Sequence, residues 1–166
     1  MGAKILTQER LKELVHYDSD TGAFTWRISR PKALAGAVAG SVHRSGYIQI
    51  GVLGKSYGAH VLAWLYVYGT LPALRIDHRN EIKADNRIAN LRIATRHENS
   101  QNISAANRNN KLGVRGVFWC KHYRRFKAHI EFNGKAKGLG SFVNLADAVA
   151  ARKEAEKQYH PFKEQK

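Results

Sequence analysis

The sequence predicts an α+β protein made of two small folded regions. Three observations carry that expectation. Short apolar alternations bounded by Gly, Asn and Asp recur in both halves, as strands and hairpins require. Capped segments with an apolar stripe lie between them, as helices require. A run rich in Asn and Ser, residues 99–111, interrupts the apolar pattern and cannot build a core of its own. A chain of 166 residues fits one ordinary domain or two small ones, and 43% hydrophobic with 25% charged residues are globular fractions. The expected division is a first domain over 1–104, a polar linker over 105–112 and a second domain over 113–166. The linker either stays flexible or orders against a partner.

The elements follow in order. Thr7 is an N-cap for a first helix whose Leu11, Leu14 and Val15 share a face. Asp18 to Gly22 is a turn, and residues 23–27 alternate as a strand. The small, glycine-bearing residues 33–40 form a loop. Residues 46–52 form a second strand, with a hairpin turn at Gly54-Lys55. Residues 60–68 are continuously apolar and stop at Gly69, so they predict a buried helix. His60, at its start, is a cap or packing residue, or alternatively stands beside the functional site. Leu74-Arg75-Ile76 is a short strand delivering Asp77 and His78 at its end; residues 79–87 loop; residues 90–94 return as a strand. Thr95-x-x-Glu98 is a capping box that starts a helix carrying Asn99.

The second half predicts three strands, over 113–119, 125–132 and 135–142, with Asn133-Gly134 as a tight hairpin turn. A helix follows from an Asn144 N-cap, with Leu145, Ala148, Val149, Ala155 and Tyr159 as its buried stripe. Phe126, Ala128, Ile130 and Phe132 then face this helix. The uncovered face is expected to present Arg125, Lys127 and His129, with Lys135 or Lys137, and with Arg115 and Trp119 nearby. A basic sheet of this kind can bond phosphates and base edges in a major groove.

The charge balance narrows the partner. There are 28 Lys and Arg against 13 Asp and Glu, for a net +15 and a pI near 10.2. Residues 1–106 carry +6 and residues 107–166 carry +9, so the excess belongs to both halves. Such a chain attracts a polyanion, nucleic acid ahead of an anionic membrane. A single cysteine, Cys120, excludes an internal disulfide and a thiolate zinc site. No apolar run reaches membrane-span length and no secretory leader is read, so a cytoplasmic protein is expected.

Asp77, His78 and Asn99 supply the groups that phosphodiester hydrolysis needs. A neutral His takes a proton from water near pH 7. A carboxylate and an amide oxygen can hold Mg²⁺, which prefers hard oxygen ligands. On a regular strand Asp77 and His78 point to opposite faces. Either the strand end relaxes, or the two act from opposite sides of the phosphate.

The pattern Asp77-His78, then Asn90-Leu91, then Glu98-Asn99 resembles the HNH endonucleases of the ββα-metal class, and the phage and intron homing enzymes most. Tyr17-Asp18-x-x-Thr21-Gly22-x-Phe24-x-Trp26, Gly46-Tyr47-Ile48, His60-x-Leu62-Ala63-Trp64 and Asp85-Asn86-Arg87-Ile88-x-Asn90-Leu91-Arg92 extend the resemblance over about ninety residues. It implies that His78 is the general base and that Asn90 steadies the loop and orients that base. It implies Asp77 and Asn99 as metal ligands, with His97 as the alternative to Asn99. An amide oxygen at the third position suits Mg²⁺, with Mn²⁺ as a substitute, over Zn²⁺ or Ni²⁺. Arg87 either binds phosphate or braces the loop through Asp85. The second half resembles the AP2 DNA-binding domain in Gly113-Val114-Arg115-Gly116-Val117, Phe126-Lys127-Ala128-His129-Ile130 and Leu139-Gly140-x-Phe142. Phe126 replaces the Trp usual there. Together the resemblances imply a DNA endonuclease acting on double-stranded DNA as a nicking monomer, without membrane or small-molecule cofactor, in a bacterial host cell if phage-encoded. The alternatives are a DNA-binding regulator with an inactive HNH site, and a restriction-type or structure-specific nuclease.

Overall fold

A computed structural model describes residues 5–103 and 105–162. The chain divides into two compact units, Met1–Thr95 and Arg96–Lys166. The helix carrying Asn99 therefore groups with the second unit, although the sequence suggested a first domain reaching 104.

In the first unit, α1 (Gln8–Leu14) starts where predicted. Thr7 is extended, and its hydroxyl accepts the Arg10 N–H at 3.2 Å. Leu11 and Leu14 are buried. Val15 is not helical: it is the C-cap and opens β1 (Val15–Tyr17), paired antiparallel with β2 (Phe24–Trp26). β3 (Ser41–Val42), β4 (Ile48–Val52) and β5 (Lys55–Gly58) form an antiparallel sheet in that order. The turn joining β4 to β5 is Leu53-Gly54, one residue earlier than expected, with φ of 52° and 79°. α2 (Ala59–Tyr68) runs through the core with Leu62 and Ala63 inaccessible, and stops where Gly69 adopts φ 76°. β6 (Arg75–His78) and β7 (Leu91–Ala94) form an antiparallel pair joined by the loop that holds the candidate site.

Two contacts tie that loop to the start of the chain. The buried Tyr17 hydroxyl donates to Asn86 O at 2.7 Å, and burial pushes the phenol up to about 12. The Asp18–Gly22 turn lies directly on the loop backbone. A Cβ at Gly22 would stand 2.5 Å from Arg87 N and 2.6 Å from Asn86 C.

In the second unit, α3 (Arg96–Asn102) precedes a sheet of β8 (Val117–Cys120), β9 (Arg125–Phe132) and β10 (Lys135–Phe142). Its order is β10-β9-β8, antiparallel throughout. α4 (Leu145–Tyr159) covers one face, where Ala148 packs with Val117, Ala128, Leu139 and Phe142. The strand expected over 113–119 begins only at Val117. Gly116 lies in the left-handed region at φ 76°, and its carbonyl accepts the His129 N–H at 2.8 Å. The stripe of α4 also includes the buried Arg152. Its Nη1 donates to His129 O at 2.7 Å and its Nη2 pairs with Glu156 at 2.9 Å.

Side-chain and backbone bonds shape residues 107–112 ahead of β8 into turns. Asn110 Nδ2 donates to Val114 O at 2.6 Å and to Val117 O at 2.8 Å, and its Oδ1 accepts the Leu112 N–H at 3.0 Å. Asparagine here does the work that a strand ladder does elsewhere. No helix among the described residues is long and apolar enough to cross a membrane.

Gly22→Ala is expected to cost at least about 2 kcal/mol, because a left-handed alanine is strained and the added methyl meets backbone. Gly54→Ala, at φ 79° but in open space, should cost only the conformational part. Urea midpoints measure both. Equal losses would disprove the close packing at Gly22.

Candidate active site and nucleic-acid face

Asp77 and His78 lie inside the β6–β7 ladder, not beyond its end: Asp77 opposes Arg92 and His78 opposes Leu91. The strand stays regular, so the two side chains serve opposite faces. Asp77 Oδ2 accepts from Arg92 Nε at 3.0 Å, with both side chains almost inaccessible. His78 turns the other way, its ring 5.2 Å from that of His60 and 5.7 Å from that of Tyr47.

His78 is bonded to Asn86, a residue to which the sequence reading gave no separate role. Asn86 Oδ1 stands 3.3 Å from His78 Nε2. Asn86 Nδ2 donates to Ala84 O at 3.1 Å, which turns the amide oxygen towards the ring. His78 Nε2 must then donate, and the lone pair resides on Nδ1. Burial lowers the basicity of His78, while the Asn86 bond opposes it in part. His60 is pushed down to about 4, first by burial and then by repulsion from His78. Two neutral imidazoles stand edge to face.

The loop between the strands is braced by its own side chains. Asn90 Oδ1 accepts the Asn80 N–H at 3.1 Å, and Asn90 Nδ2 donates to Asp85 O at 2.8 Å. Asn80 Nδ2 reaches Asp85 Oδ2 at 2.7 Å. Arg87 grips the same carboxylate with Nε at 2.8 Å and Nη2 at 2.5 Å. Those bonds, with the Arg87 N–H and Asn80, hold Asp85 down at about 2. Arg87 therefore braces the loop. Asn90 also holds the loop, but the residue bonded to the His78 ring is Asn86. Asn86 was visible within the 85–92 motif, but its burial follows from Tyr17 and Gly22, far away in sequence.

Asn99 lies half-buried on α3, in the second unit, and His97 is exposed on the same helix. No cluster of three or more His, Cys, Asp or Glu suited to a metal occurs among the described residues. The oxygens of Asp77 and Asn99 are nevertheless the hard donors that Mg²⁺ prefers.

In the second unit, register decides which basic residues share a face. Arg125, Lys127 and His129 lie opposite to the α4 side, as expected, joined by Phe118 and Cys120 of β8. Lys127 Nζ sits 4.3 Å from the exposed Tyr123 ring. Lys135 opposes Phe132 and Lys137 opposes Ile130, so both lie on the helix side. Lys137 Nζ contacts Tyr159 of α4. Trp119 also lies on that side, its ring 4.7 Å from Phe126. Arg115 is committed to α3, donating to Ser100 O at 2.8 Å and Ile103 O at 2.5 Å.

Residues 57–101 match the HNH endonuclease family. The matched segment runs from β5 to α3 and contains Asp77, His78, Asn86, Asn90 and Asn99. Among solved structures, one described as DNA binding and cleavage by the HNH homing endonuclease I-HmuI is similar, with a TM-score of 0.42 and 24% identity. The similarity covers 54% of this chain and 51% of that one, so the chain spans about half the length of that protein. No curated protein matches.

Asp85 makes the loop acid-sensitive. Its folded value of about 2 lies below its unfolded 3.8, so its contribution is present above about pH 4 and lost as pH falls towards 2. Arg87 is half exposed, so screening keeps the effect small. Thermal unfolding from pH 5 to 2 should show a steeper acid loss in the wild type than in Asp85→Asn. Parallel curves would refute the pairing.

Proposed function

We propose that this chain is a metal-dependent endonuclease that hydrolyses phosphodiester bonds in double-stranded DNA, one strand per encounter. The observation that carries this reading is His78: a buried, neutral imidazole with its tautomer fixed by Asn86, inside the segment matched to HNH endonucleases.

His78 Nδ1 takes a proton from the attacking water. Asn86 holds the ring, and Asn90, Asp85 and Arg87 hold the loop that carries Asn86. The family resemblance gives Asp77 and Asn99 as the residues that would hold Mg²⁺, or Mn²⁺ in its place, whose chemistry when bound is to take up charge on the phosphate and leaving oxygen. The second unit, with its AP2-like sequence, supplies affinity and target preference through Arg125, Lys127 and His129. The protein acts as a monomer, and two-strand cleavage would need two encounters.

One observation favours a second reading, a protein that binds DNA without cutting it: Arg92 already occupies one oxygen of Asp77. Supercoiled plasmid separates the two. Under the nuclease reading, Mg²⁺ converts it to open circle and EDTA prevents this. His78→Ala should lower the rate at least about 10²-fold with binding retained. Asn86→Ala should give a smaller loss. Retained binding with no metal-dependent cut in any DNA tried would select the second reading.

The face assignment makes its own prediction. Arg125→Ala and Lys127→Ala should each reduce the slope of log affinity against log salt by about 0.9 per lost phosphate contact. Lys135→Ala and Lys137→Ala should leave that slope unchanged. The reverse ranking, read by fluorescence anisotropy, would sink the assignment.

A further inference from the structure

Residues 21–76 contain no Asp or Glu and six Lys or Arg, every one exposed. Three of the six, Arg27, Arg30 and Lys32, sit in one projecting hairpin between β2 and β3. The same hairpin exposes large apolar side chains: Ile28 is 49% accessible, Leu34 73% and Val38 72%. Single exposed apolar residues need no explanation, but a group of them on one projection marks an interaction site.

The projection is built to be stiff. At its base, Trp26 N–H donates to Ala37 O at 2.9 Å and Gly36 N–H to Trp26 O at 2.7 Å. At its tip, Arg30 and Ala33 exchange both backbone bonds, at 2.8 and 3.1 Å, around Pro31-Lys32. Ser29 Oγ accepts the Ala35 N–H at 3.1 Å. Arg30 stacks 3.8 Å from the centre of the Trp26 ring and donates to Gly51 O at 3.0 Å, tying the hairpin to β4. Leu34 and Ile28 are therefore held out in water by an ordered frame.

The surrounding charge selects the occupant. A basic hairpin in an acid-free stretch of sequence calls for a polyanion. A simple phosphate clamp has no use for exposed Leu and Ile. A DNA duplex offers both phosphates and an apolar base stack, which apolar side chains enter from the minor groove. We propose that residues 27–38 form a wedge for duplex DNA: Leu34 and Ile28 insert at a base step, while Arg27 and Lys32 engage the flanking phosphates. The wedge rests on the reading that this chain binds DNA and does not depend on its cutting it.

Insertion unwinds DNA, and this can be read without knowing a target site. Closed circular plasmid is relaxed by a metal-independent topoisomerase with the full chain present, in EDTA so that no strand is cut. The deproteinised plasmid is then resolved by linking number. The wild type is expected to bind and shift the linking number. Ile28→Ser with Leu34→Ser should still bind but lose the shift, and Leu34→Phe, still apolar, should keep it. Arg27→Ser with Lys32→Ser should weaken binding and flatten its salt dependence. A wild type that binds with no shift overturns the wedge, as does a shift that survives in Ile28→Ser with Leu34→Ser. Sedimentation showing that this double variant abolishes self-association while the shift persists would assign the hairpin to a second copy instead. Failure of the wild type to bind any duplex would remove the DNA reading itself and the wedge with it.

Discussion

The hydrogen bonds around Asn86 connect the first strands of the chain to the imidazole proposed as the base. Its side chain is inaccessible, and three of its polar groups have partners: Oδ1 to His78, Nδ2 to Ala84 O, and the backbone oxygen to the Tyr17 hydroxyl. Buried amides in this setting tolerate little change, because an orphaned partner costs about 1–3 kcal/mol. Asn86 therefore cannot turn without disturbing Tyr17, and Tyr17 cannot move without disturbing the core that packs Phe24 and Tyr66 around it. The orientation of His78 is thus tied through Asn86 to Tyr17, near the start of the chain.

A second consequence follows from keeping β6 regular. Alternation places the Asp77 charge on one face with Arg92 and the His78 ring on the other with His60 and Tyr47. The order of influences on His78 reflects this separation: burial acts most strongly, the Asn86 bond next, and the charge of adjacent Asp77 only after both. A relaxed strand end would have brought the carboxylate closer and favoured the protonated ring. The geometry found keeps the imidazole neutral, which is the form a base requires.

Local signals in the sequence were read well. The Thr7 cap, the Gly69 stop, the Asn133-Gly134 turn and the alternation of β9 each depend on residues within one turn or one strand. The misreadings depend on partners. Val15 continues the apolar stripe of α1, yet pairing with Trp26 draws it into β1. Gly116 interrupts β8 because His129 lies against it. Lys135 and Lys137 are the instructive case, because a two-residue turn fixes register. With Asn133-Gly134 as the loop, Lys135 must oppose Phe132 and share its face. The hairpin makes that placement legible in sequence, whereas charge alone does not. Asn86 was not legible in this way. Its burial comes from Tyr17 and Gly22, and no local pattern distinguishes a polar loop residue that packs inward from one that faces water.

The net charge of +15 overstates the number of basic groups left open to a polyanion. Arg87 and Arg92 are held by carboxylates, Arg115 by the end of α3, Arg152 by Glu156 and a carbonyl of β9, and Arg30 by Trp26 and Gly51. These guanidiniums hold loops and helices in place, and the planar fork of Arg suits that task better than a flexible ammonium. Arg115 and Arg30 still contribute to the field that draws a polyanion in, because pairing with backbone oxygens leaves their charge uncancelled. Specificity must come from a smaller set. Phosphate contacts position a protein, while contacts to bases and the deformation of the duplex specify a site. Two sets of groups match this division on the proposed reading: Arg125, Lys127 and His129 on an open sheet, and Leu34 and Ile28 on a stiff hairpin. On the proposed reading each unit would bring its own contacts to DNA, and the unit that holds His78 would meet the phosphate backbone through its own hairpin.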